Sequence, residues 1–90
     1  KEVHPMKLLK FYTPSCGPCK VMSPVVERVA TECAVPMESI DASEEPTLAA
    51  QYGVRAVPMF ILVDEDEQVV ASTSGLMTAD TFSNWLGGLC

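Results

Sequence analysis

The sequence predicts an α/β domain in which a four-stranded mixed sheet carries helices on both faces, in the order β-α-β-α-β-β-α. Three observations predict it. Short apolar runs bounded by proline, glycine or acidic clusters alternate with longer segments whose apolar residues recur at helical spacing. The helical segments between the early strands make crossover connections, which impose parallel pairing there. The last two strand-like runs are separated only by the acidic stretch Asp64 to Glu67, so they form an antiparallel hairpin.

Met6 to Thr13 reads as the first strand, because it is short, carries Leu8, Leu9, Phe11 and Tyr12, and ends at the Pro-Ser-Cys-Gly-Pro cluster. From Gly17 to about Ala34, Val21, Val25, Val29 and Cys33, interleaved with Met22, Val26 and Ala30, make one broad apolar helix face. Pro18 fits the first turn, whereas Pro24 lies inside and removes a backbone hydrogen bond. Val35 to Ile40 is a second short strand. Ser43 is the candidate N-cap of a helix running to Tyr52 and closed by Gly53. Val57 to Val63 and Gln68 to Thr73 form the hairpin. Thr78 caps a final helix with Phe82, Trp85, Leu86 and Leu89 on one face and Gly87 and Gly88 at its end.

Ninety residues, 48% of them hydrophobic, suffice for one domain with a real core, read as residues 1 to 90 without linker or repeat. The net charge of -6 argues against nucleic acid or an anionic membrane as partner, since either calls for clustered Lys and Arg. No window approaches the ~18–20 consecutive apolar residues of a transmembrane helix, and Lys1 to Thr13 lacks the features of a signal peptide. The expectation is a soluble, cytoplasmic monomer.

Four cysteines are present: Cys16, Cys19, Cys33 and Cys90. Cys33 lies on the apolar helix stripe and reads as a small buried hydrophobe, while Cys90 is terminal. Cys16 and Cys19 stand apart from these because a two-residue spacer lets their sulfurs bond. At a helix start the first thiol is acidified by unpaired backbone N–H groups and the helix dipole. Half a zinc site has the same spacing, and His4, Cys33 and Cys90 are the remaining thiols and imidazole, without a second close pair. A C-x-x-C at a strand-to-helix junction in a β-α-β pattern reads instead as a redox motif.

The segment Phe11-Tyr12-Thr13-Pro14-Ser15-Cys16-Gly17-Pro18-Cys19-Lys20 resembles the active-site segment of the thioredoxins. Pro24 stands where that family has its kinking helix proline. Tyr52-Gly53-Val54-Arg55-Ala56-Val57-Pro58 resembles the approach to its active-site cis-proline, and Gly75 corresponds to the glycine after its last strand. The resemblance implies a thioredoxin-like fold, no bound cofactor or metal, Cys16 as nucleophile and Cys19 as resolving thiol. Gly17 and Pro18 form the loop between them. An X-Pro bond is cis in only about 5% of cases in folded proteins, so it is the resemblance alone that implies cis at Pro58. It also implies that the peptide groups of Val57 pair with an extended substrate segment and that Gly75 leaves room beside it.

The chain departs from the family pattern in four places. Only about six residues precede the first strand, where thioredoxins begin with a further strand and helix; this short form is shared with glutaredoxins. Against a glutaredoxin stand the Gly17-Pro18 spacer and the late position of the Gly87-Gly88 pair. Ser15 and Tyr12 replace the usual tryptophans. Lys10 occupies the place of a buried aspartate. A lysine near the pair favours the thiolate, which makes a dithiol more oxidising and predicts a potential above the roughly -270 mV of thioredoxin. Alternatively, its stem is buried and its head reaches solvent, leaving the thiols alone.

The leading expectation is a thiol-disulfide oxidoreductase that reduces protein disulfides and is recharged by a thioredoxin-reductase-type flavoprotein or, less favourably, by glutathione. The alternatives are a glutaredoxin-like protein, or a binding module that uses the surface around Cys16, Val57, Pro58 and Gly75 without turnover. A complete Cys16/Cys19 pair speaks for the first.

Overall fold

β1 (Lys7–Tyr12) and β3 (Met59–Val63) form the centre of a four-stranded sheet, flanked by β2 (Met37–Asp41) beside β1 and β4 (Val69–Ser74) beside β3. The structure, a computed structural model, describes residues 6–87. β1 pairs parallel with β2, in the register Leu8 to Met37, and antiparallel with β3, in the register Leu9 to Ile61; β3 and β4 form the antiparallel hairpin. The helices are α1 (Gly17–Glu32), α2 (Pro46–Gln51) and α3 (Ala79–Leu86). The thioredoxin-like α/β order and mixed sheet expected from the sequence are borne out.

Strand alternation divides the core in two. On one face Leu8, Phe60 and Leu62 pack under Met22, Val26 and Val29 of α1 and Phe82 and Leu86 of α3. On the other face Leu9, Phe11, Ile61 and Val63 meet Ile40 and Ala49. The Phe60 and Phe82 rings meet edge to face with centroids 5.1 Å apart, and Trp85 packs on Phe82 at 5.5 Å. Lys10 shares the Leu8 parity, so its side chain enters the α1 side of the sheet.

Several boundaries differ from the sequence reading. α1 stops at Glu32 because Ala34 adopts φ +56° and the Val35 N–H returns to the Ala30 carbonyl at 2.9 Å, a Schellman closure that also delays β2 to Met37. Ser43 does not cap α2. Its N–H and hydroxyl both donate to Asp41 Oδ1, at 2.9 and 2.6 Å, while the helix begins at Pro46 behind Glu45, which makes no side-chain cap bond. Proline suits that first position. α2 is accordingly short and ends at Gln51, with Gly53 following at φ +70°. β3 opens at Met59, since Pro58 has no N–H for the ladder, and β4 is displaced by one residue from the expected Gln68 to Thr73, running from Val69 to Ser74. Thr78 caps α3 through a 3.1 Å bond from the Thr81 N–H. His4, Gly88, Leu89 and Cys90 lie outside the described residues.

Candidate active site

β1 delivers the chain through Thr13 to Cys16, whose N–H donates to the Thr13 carbonyl at 3.2 Å. Cys16 is the N-cap of α1, with extended backbone (φ -85°, ψ 109°), and Pro18 lies in the first turn where no N–H is needed. Cys16 and Cys19 are joined as a disulfide, with Cα atoms 5.3 Å apart. The two sulfurs differ in setting. Cys19 is 4% exposed and belongs to the sheet-facing side of α1, whereas Cys16 is half-buried and flanked by exposed Ser15, Gly17 and Pro18.

The Cys19 N–H donates to Cys16 Sγ at 3.0 Å. That amide is one of the orphan donors of the helix start, so it lies where negative charge on the Cys16 sulfur is stabilised by a direct hydrogen bond and by the dipole together.

Two further loops share this end of the sheet. Val57-Pro58 is a cis peptide, with Pro58 buried and Val57 half-buried. The Gly75 N–H donates to the Pro58 carbonyl at 3.0 Å, and Gly75 takes φ +93°, a conformation side chains rarely adopt. Two residues on, the Met77 N–H meets Met22 Sδ at 3.4 Å, tying the loop before α3 to the turn of α1 after Cys19. A groove of about 340 Å³ runs beside the Val57 loop, bordered by Thr13, Ala42, Ala49, Arg55 and Ala56.

Lys10 does not reach solvent. The residue is 5% exposed, its Nζ donates to Ser23 Oγ at 2.8 Å, and it lies 5.7 Å from the centre of the Tyr12 ring. Ser23, one turn after Cys19 on α1, was not singled out by sequence; the signal that could have found it is its i+4 spacing from the buried cysteine.

Among the described residues no three of His, Cys, Asp and Glu gather as metal ligands. The acidic turn is closed by its own Asp64 carboxylate, which accepts from the N–H groups of Asp66 and Gln68 at 2.9 Å each. No described helix is long and apolar enough to cross a membrane.

Comparison with known proteins gives a consistent picture. The thioredoxin family model matches residues 1–87. Thioredoxin of Pyropia yezoensis is 38% identical over 64 residues, covering 69% of this chain and 60% of the alga's protein. Thioredoxin 1 of Synechococcus elongatus is 33% identical over 81 residues, 88% of this chain and 75% of that protein. The solved structure of a mutant thioredoxin from Halobacterium salinarum superposes with a TM-score of 0.81 at 36% identity, over 89% of this chain and 70% of its own. The chain thus spans about 60% of the length of the algal relative.

Proposed function

The chain belongs to the thioredoxin family, and on that premise we propose that it is a thiol-disulfide oxidoreductase that reduces protein disulfides through its Cys16/Cys19 couple. The observation that carries the reading is the asymmetric pair at the start of α1: one accessible sulfur on the helix cap, one buried sulfur bonded to it.

In the reduced protein, the Cys16 thiolate attacks one sulfur of a substrate disulfide. A Cys16–substrate bond forms and the second substrate sulfur leaves as a thiolate, which takes up a proton. Cys19 then gives up its proton and attacks the Cys16 sulfur as a thiolate, the intramolecular disulfide closes, and the remaining substrate sulfur leaves as a thiolate that takes up a proton. Two electrons pass from the protein to the substrate. No metal or organic cofactor takes part.

Gly17 and Pro18 keep the short ring between the sulfurs stiff and uncrowded. Val57 offers its peptide groups to an extended substrate segment, Pro58 lies buried at the same end of the sheet as the pair, and Gly75 leaves space at its side. The groove beside Val57 gives such a segment a continuation. Backbone pairing of this kind tolerates many sequences, as a general disulfide reductant requires. The proposal extends to a monomer in the cytoplasm, returned to the dithiol by a thioredoxin-reductase-type flavoprotein in preference to glutathione.

An insulin-reduction assay with dithiothreitol tests the reading. The unsubstituted protein is expected to accelerate precipitation of the insulin B chain, and Cys16→Ser to abolish the acceleration. Equal activity of the two contradicts it and favours a binding module.

A further inference from the structure

Lys10 is a cation placed where a hydrocarbon would cost less. Burying an ammonium carries a desolvation penalty that a carboxylate partner normally offsets. Among the described residues Lys10 meets no carboxylate; its partners are the neutral Ser23 hydroxyl and the face of Tyr12. Both hold the head group at a definite place. Ser23 stands on α1 one turn beyond Cys19, so the two side chains project from the same side of the helix with Cβ atoms about 5–6 Å apart. Tyr12 is the last residue of β1, two positions beyond Lys10 and on the same face of the strand. The ammonium is therefore held between β1 and α1, bonded to the side chain one helical turn beyond Cys19.

The anion that the proposed reaction creates in this region is a cysteine thiolate, present only while the pair is reduced. In the disulfide form the Ser23 hydroxyl and the Tyr12 ring, both neutral, are the groups that hold the lysine among the described residues. A buried cation of this kind stabilises one redox state and not the other. We propose that Lys10, held in place by Ser23, sets the redox poise of the Cys16/Cys19 couple by favouring its reduced form, and so makes the protein a more oxidising member of its class. The inference rests on the dithiol reading above. In electron balance, the reduced pair and oxidised glutathione exchange to give the intramolecular disulfide and two molecules of glutathione. Lys10 shifts that equilibrium toward the dithiol without taking part in either bond.

The test is the exchange equilibrium with glutathione at fixed pH, read by alkylation and mass, for the unsubstituted protein, Lys10→Met, Lys10→Arg and Ser23→Ala. Lys10→Met is expected to move the equilibrium toward the disulfide about tenfold, which is about 30 mV for a two-electron couple. Lys10→Arg, which keeps the charge, returns it toward the original value. Ser23→Ala leaves the buried charge in place and moves the equilibrium in the same direction as Lys10→Met, by less. Near-ultraviolet circular dichroism verifies the fold of each. An unchanged equilibrium in folded Lys10→Met, or in Ser23→Ala should Lys10→Met fail to fold, overturns the inference while leaving the dithiol reading intact. Failure of the unsubstituted protein to exchange with glutathione at all overturns both.

Discussion

The N–H of Gly75 donates to the carbonyl of Pro58 across 3.0 Å, joining the loop before β3 to the loop after β4 at the end of the sheet where Cys16 caps α1. These residues are far apart in sequence, and hairpin pairing of β3 with β4 brings them together. The surface beside the disulfide is thus a product of sheet register as much as of the cysteine motif.

Gly75→Ala probes that junction. At φ +93° an added Cβ meets no atom within 4 Å, so the cost is backbone strain alone. Stability is expected to fall by ~1–3 kcal/mol. Relaxation of the loop loosens its bond to Pro58, so the KM for a protein disulfide rises while the alkylation rate of Cys16 is unchanged. Urea denaturation and steady-state kinetics check the two halves. A normal KM in a destabilised variant would remove the loop from the substrate surface.

Ala34→Gly should stabilise the protein. Ala34 ends α1 in the left-handed region at φ +56°, where a Cβ is strained and glycine is not. A gain of ~0.5–1 kcal/mol is expected, which for a domain of this size raises the melting temperature by roughly 2–8 °C. Differential scanning calorimetry measures it, and no gain would mean that the glycine's greater unfolded-state entropy cancels the relief.

The rings of Phe60 and Phe82 join the sheet to α3. Both are fully buried, and their rings meet edge to face. Either substitution to alanine is expected to cost ~3–5 kcal/mol. The double variant should cost less than the sum of the two, because each single change already removes the ring contact. A double-mutant cycle by urea denaturation reads the difference, and strict additivity would contradict the contact.

The element order was legible because periodicity and punctuation agreed along the chain: the buried face of α1, Cys19, Met22, Val26, Val29 and Ala30, repeats at 3.6 residues, although Val21, expected on it, is 61% exposed, and Leu8/Leu9 and Phe60/Ile61 alternate across the sheet. The boundaries were less so. Ser43 has the chemistry of an N-cap, yet the Asp41 carboxylate two residues earlier captured its hydroxyl, a competition between local hydrogen bonds that residue type does not resolve. The end of α1 was read too late because Ala34 gives no sign of a left-handed conformation that glycine would have announced. At the site, Cys16 and Cys19 were visible from spacing, and Pro58 and Gly75 from resemblance. The environment of Lys10 was not, because whether a lysine snorkels or stays inside depends on a partner contributed by another element, here Ser23 of α1.

The central claim is a division of labour between the two sulfurs, in which Cys16 attacks and Cys19 resolves. It is tested most directly by incubating Cys19→Ser with insulin under limiting reductant and mapping the covalent product by mass spectrometry. The account predicts a stable mixed disulfide through Cys16, dispersed by dithiothreitol, and none from Cys16→Ser under the same conditions. Accumulation of an adduct through Cys19 in Cys16→Ser, with none through Cys16 in Cys19→Ser, would contradict it.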